Sequence, residues 1–219
     1  MLNGPRLLPL TGRKAKKLVV LFHGYGSNGE DLLSLAPYWS KTMPDVEFHA
    51  PNGLDACDEF GFGYQWFSLK EFTPISVRSG LDIVRPHLKK YLLEALATRS
   101  LTPMDLILVG FSQGCWVALD MMYAIQNLCG VIGYSGGFYP SLETPLLEPH
   151  PAVLLIHGDL DTVVPYSYFL DSQAQLQKLG LDPQTLTCSG LGHSIDEEGL
   201  KSGGKFLADL LAKNSPLYI

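Results

Sequence analysis

Strand-type apolar runs alternating with stretches of helical spacing set the limits on what this 219-residue chain can fold into. Such runs cover residues 17–23, 46–51, 105–110, 130–135 and 152–157, with a weaker alternating one at 184–189. A strand that is apolar at almost every position is buried on both faces, and the helices between such strands are what bury it. Leu81, Val84, Leu88, Leu92 and Ala95 keep helical spacing, although Pro86 is expected to kink or restart that helix. Residues 113–125 are apolar all round, as in a helix enclosed by protein. Phe169, Leu176 and Leu179 mark another helix, with Pro165 near its start and Gly180 as its stop. Leu200, Phe206, Leu207, Leu210 and Leu211 mark a last one. The pattern predicts an α/β fold with a mostly parallel central sheet and helices on both faces. No repeat, low-complexity segment or linker interrupts it, so one domain spanning 1–219 is expected.

Composition narrows the function. At 46% hydrophobic and 17% charged, the chain can bury one sizeable core. A net charge of −6 argues against a general nucleic-acid binder, which needs clustered Lys and Arg. The basic cluster at 13–17 precedes the first long apolar run and reads as a solvated lead-in. The first residues show neither a signal-peptide pattern nor a membrane span, so a cytoplasmic protein without stable membrane insertion is expected. Cys57, Cys115, Cys129 and Cys188 are scattered and read as reduced thiols. No metal-ligand spacing and no phosphate-cradling loop are present, so neither metal nor cofactor is expected.

Gly110-Phe111-Ser112-Gln113-Gly114 closes one apolar run and opens the buried helix. The two glycines permit a turn sharp enough to lift a serine hydroxyl out of a sheet. The helix N-terminus offers free N–H groups to developing negative charge. Ser112 is therefore the candidate nucleophile. A second G-x-S-x-G, 133–137, also follows an apolar run, but Pro140 and later prolines leave no helix behind Ser135. Ser135 reads as a strand end lining the same cleft. Gly24, Gly26 and Gly29 match a dinucleotide fingerprint, but the next strand candidate ends His49-Ala50-Pro51 without the acid that holds a ribose. A glycine-rich loop there suits a hydrolase better, supplying one N–H of an oxyanion hole whose other N–H comes from Gln113.

Acid and base candidates sit after later runs, where a Ser–acid–His order places them. His193 follows the last strand candidate in a glycine-flanked loop and is the expected general base. The loop after 152–157 carries both Asp159 and Asp161; the first suits a turn cap, the second an orienting acid. His23 and His157 stand at strand ends before glycines and read as structural.

With these residues in place, the chain resembles the phospholipase/carboxylesterase family of α/β-hydrolases, which includes the acyl-protein thioesterases. The resemblance rests on LFHGYGSNGEDL (21–32), APNG (50–53) with Cys57 and Gln65-Trp66-Phe67, VGFSQG (109–114), HGDLDTVVP (157–165) and GLGHSI (190–195). It implies an α/β-hydrolase fold without a large cap, a Ser112–Asp161–His193 triad, and an oxyanion hole from the N–H groups of Tyr25 and Gln113. The preference for Asp161 over Asp159 leans on that resemblance, and a homodimer would fit it. Cys115 departs from it, standing where a further glycine is expected, and is expected to tighten contacts under the nucleophile. The stretch 57–74 is rich in aromatic residues and too irregular for helix or strand. Its rings, Phe62, Trp66 and Phe67 among them, either line an apolar acyl groove or hold the loop on the core, with Trp66 and Phe67 the first candidates for the core. The expected activity is a serine carboxylesterase for short- to medium-chain acyl esters, with an acyl-protein thioesterase or lysophospholipase as the alternative. A catalytically silent binding protein is the reading from another class.

Overall fold

The computed structural model describes residues 2–142, 145–146 and 148–213. Its strands are β1 (Arg6–Leu7), β2 (Lys17–Phe22), β3 (Val46–His49), β4 (Asp55–Ala56), β5 (Tyr64–Gln65), β6 (Leu106–Phe111), β7 (Gly130–Tyr134), β8 (Ala152–Gly158) and β9 (Gln184–Cys188). Its helices are α1 (Gly29–Leu33), α2 (Ala36–Ser40), α3 (Pro74–Ala97), α4 (Gln113–Asp120), α5 (Ser167–Lys178) and α6 (Glu197–Lys213). Seven strands form one sheet in the order β1-β3-β2-β6-β7-β8-β9. All neighbours pair in parallel except β1, which runs antiparallel to β3 at the edge with Arg6 opposite His49. β4 and β5 make a separate two-stranded piece.

The side-chain period of two divides each central strand between two cores. Leu18, Val20 and Phe22 of β2 point to the side covered by α3, α4 and α5. Val19 and Leu21 point to the side covered by α1, α2 and α6. Leu106 and Leu108 of β6 join the first core, Ile107 and Val109 the second. This two-sided burial is why these strands are apolar throughout, whereas the edge strand β9 reads Gln-Thr-Leu-Thr-Cys.

All six expected strands form, each within two residues of its expected ends. The expected break at Pro86 does not occur: α3 runs 24 residues from a Thr73–Ser76 capping box with Pro74 in its first turn. Pro86 lies on the exposed face, where water can satisfy the Asp82 carbonyl that loses its helical donor. The buried Asp120 of α4 also ties down this stretch, accepting from Arg78 and Arg85 of α3. The α5 stop is as expected. Gly180 adopts φ 85°, and a Schellman pair closes the helix: Leu181 N–H donates to Leu176 and Gly180 N–H to Gln177.

Candidate active site

Ser112 lies where β6 turns into α4, with φ 53° and ψ −120°. A non-glycine residue in that region costs about 1–3 kcal/mol and persists only where its surroundings enforce it. Here they do. A Cβ on Gly110 would stand 2.0 Å from the Gly114 carbonyl, and one on Gly114 would stand 1.8 Å from that of Phe22. Ser112 N–H donates to Tyr134 O at 3.0 Å, fastening the turn to β7. Gln113 opens α4, so its N–H has no helical acceptor and is free to serve a ligand. Cys115 is buried against Gly133 and Gly136, which leave room for its sulfur, and burial pushes its thiol pKa up. It fills space under the elbow.

His193 and Ser112 line one cavity of about 610 Å³. The His193 ring lies 4.8 Å from that of Phe111, and its Nδ1 is 2.8 Å from Asp161 Oδ2. The Asp161 side chain is fully buried, and its other oxygen accepts from the N–H groups of Val163 and Val164. His157 Nε2 faces the Val164 carbonyl at 2.9 Å, which makes it a donor, and the same atom stands 3.3 Å from Asp161 Oδ2. Burial lowers the His157 pKa and favours the neutral ring. The sequence placed His157 at a strand end but did not connect it with the acid. Asp159 caps the turn, accepting from Gly190 N–H at 2.6 Å and from the Ser189 hydroxyl.

The 24–29 loop reaches Ser112 from β2. A Cβ on Gly24 would touch the Ser112 Cβ at 3.2 Å. The Tyr25 N–H donates to no protein group among the described residues, and its hydroxyl donates to Asp58. Burial, then that bond, raises the Tyr25 phenol pKa. Gly26 N–H donates to Tyr64 O and Tyr64 N–H to Ser27 O, clipping this loop to β5. Gly63 approaches so closely that a Cβ there would meet the Gly26 carbonyl at 2.0 Å. His23 bonds the Gly24 carbonyl through Nδ1, so its Nε2 is left to accept from Gly53 N–H. That fixes one neutral tautomer, and burial lowers the pKa.

Of the two readings of the aromatic rings, the structure favours the core for Trp66 and Phe67, and none of Phe62, Trp66 and Phe67 lines the cavity as a substrate-binding residue would. Trp66 is 1% exposed, its indole N–H donating to His23 O, and Phe67 is buried where Gly80 of α3 leaves space for its ring. Both are core anchors; Phe62, at 70% exposed, stacks on Phe60 outside the cavity. Phe60, Leu69 and Phe72 of the same segment line the cavity instead, with Leu32 and Leu35 from the α1 side. Ser135 has φ 46° but is buried, its hydroxyl 3.5 Å from Ser194 O, and is not among the cavity-lining residues. The side chain of Gln113 was not anticipated: it accepts from Trp66 N–H and donates to Phe67 O, pinning the aromatic segment to the start of α4.

A solved structure described as esterase PE8 superimposes with a TM-score of 0.89, at 39% identity over 95% of this chain and 99% of that one. Esterase YpfH of Escherichia coli is 25% identical over 86% of this chain and 81% of its own length. Acyl-protein thioesterase 1 of Debaryomyces hansenii is 25% identical over 93% of this chain and 95% of its own. The family model described as phospholipase/carboxylesterase matches residues 10–211. A chain so matched over most of its length, with a sharp serine elbow at an apolar cavity, belongs to the phospholipase/carboxylesterase family of α/β-hydrolases and is an enzyme that hydrolyses esters or thioesters.

Proposed function

We propose that the chain is a serine carboxylesterase acting on short- to medium-chain acyl esters through an acyl-Ser112 intermediate. One observation carries the reading: a strained Ser112 at the head of α4 shares an apolar cavity with His193, whose far nitrogen is held by a buried carboxylate. His193 Nε2 takes the Ser112 proton as Oγ attacks the acyl carbon, then returns it to the leaving alcohol. Asp161 keeps the proton on Nδ1 and stabilises the imidazolium without being protonated. The N–H groups of Tyr25 and Gln113 receive the charge that develops on the carbonyl oxygen. Water, activated by the same imidazole, then releases the acid. Thioesters of acylated proteins would react by the same steps, and the name of the Debaryomyces relative favours keeping that class as the second reading.

The test is intact mass after treatment with a fluorophosphonate, then turnover of p-nitrophenyl esters across acyl lengths. The expected result is one adduct on Ser112 and a turnover maximum at short to medium length. An adduct on Ser135, or none with no turnover, overturns the assignment.

A further inference from the structure

The formal charge of the described residues that line the cavity is of one sign. Among the described residues lining it there is no Lys or Arg, and the one carboxylate is Asp31, in the first turn of α1. Asp31 is held in place: its N–H donates to the Asn28 side chain at 3.0 Å, and its Oδ2 accepts from the Ser27 hydroxyl at 2.7 Å. No cationic side chain lies within ion-pair distance of it among the described residues. The His23 ring lines the same cavity; burial lowers its pKa, against which its bond to Gly24 and then the Asp31 charge act. Lys70, a cation of the aromatic segment, is turned to Asp58, at 3.8 Å. A cleft with one sign of charge and apolar walls concentrates the opposite sign and repels its own.

Resting on the esterase reading above, we infer that Asp31 is a specificity-determining residue and that the cavity accepts esters with neutral or cationic groups while rejecting those bearing phosphate or carboxylate. Like-charge repulsion acts before the chemistry, on entry and binding, and therefore on kcat/KM. Because Asp31 is solvent-exposed, the effect is screened by salt.

The test compares kcat/KM for the butyryl esters of choline, ethanol and glycolate, at low salt and in concentrated sodium chloride, in the wild type, Asp31→Asn and Asp209→Asn. Asn keeps the size of the side chain and an oxygen for the Ser27 hydroxyl, while Asp209 lies on α6, paired with Lys205. At low salt the choline ester should lead the glycolate ester by about ten-fold. That ratio should shrink by about three-fold or more in high salt and in Asp31→Asn, and hold in Asp209→Asn. Equal rates on the two charged esters, or a ratio indifferent to both salt and Asp31→Asn, overturn the inference. If the ethanol ester is turned over while the ratio is flat, only the charge selection fails. If no ester is turned over and no fluorophosphonate adduct forms, the hydrolytic assignment to Ser112 fails instead.

Discussion

Replacing Gly114 with alanine probes the proposed oxyanion hole without removing a reacting group. The new Cβ would stand 1.8 Å from the Phe22 carbonyl oxygen and 2.8 Å from that of His23, both backbone atoms that cannot swing aside. To restore ordinary contact, the start of α4 and the end of β2 must part by more than about 1 Å. That gap opens between the Gln113 N–H on one side and the Gly24–Tyr25 segment on the other, the two proposed halves of the oxyanion hole. A displacement of about 1 Å in reacting geometry costs roughly 10²-fold, and loss of one oxyanion donor 10²–10³-fold. Overfilling of this kind costs about 1–3 kcal/mol or somewhat more, and 1–3 kcal/mol is some 2–12 °C in Tm for a chain of this length. Gly12→Ala is the control: Gly12 has φ 67° with nothing within 4 Å of a new Cβ, so it brings backbone strain far from the cavity. The assay is p-nitrophenyl acetate turnover at 25 °C beside thermal unfolding of both variants. Gly114→Ala should lose about 10²-fold in kcat while still folded, and Gly12→Ala should lose Tm alone. If Gly114→Ala unfolds at a lower temperature yet keeps wild-type kcat, the placement of the oxyanion donors is wrong.

Asp161→Asn should lower kcat by about 10³–10⁴-fold, whereas Asp159→Ala should loosen the Gly190 turn and leave kcat within a few-fold; comparable losses would show that the wrong aspartate had been assigned. Trp66→Ala should cost about 3–5 kcal/mol in urea unfolding, while Phe72→Ala, at a half-exposed wall position, should barely move the midpoint and raise KM for the longer acyl esters. Burial holds the pKa values of His23, His49 and His157 below 6.5. The unfolded chain then binds more protons in the window below 6.5, so stability is complete above that value and is lost as pH falls through the folded values. The urea midpoint should therefore drop between pH 7.5 and 5.0, and an unchanged midpoint would contradict it.

The sheet was legible in the sequence because its strands are buried on both faces and therefore apolar nearly throughout, as in Leu106–Phe111 and Ala152–Gly158. Ser112 followed because it comes directly after such a strand; His193 was placed by the loop behind the weaker run β9, and Asp161 was preferred to the nearer Asp159 only through the family resemblance. Short elements were not legible: β1 has two residues, and α1 and α2 five each, too few to display a period. The start of α3 was hidden because its capping box closes with Ser76 instead of an acid or amide. The aromatic segment misled for a related reason. Irregular chain has no period to sort inward rings from cavity-facing ones; Trp66 and Phe67 stood out as core candidates, but Phe62 could not be told from the cavity-lining Phe60 and Phe72. The charge carried by Asp31 was equally silent, since its placement at the cavity depends on α1 meeting strands far away in sequence.

The clip between the 24–29 loop and β5 has an evolutionary consequence. Tyr64 bonds both Gly26 and Ser27, Gly63 abuts Gly26, and Asp58 receives the Tyr25 hydroxyl. The part of the molecule that lines the cavity and the part proposed to hold the transition-state oxygen are thus bonded into one piece. A drift in acyl preference through this segment would drag turnover with it, and relatives should trade the two pieces together. Grafting residues 55–72 from another esterase should fail alone and succeed only when its partner loop travels with it.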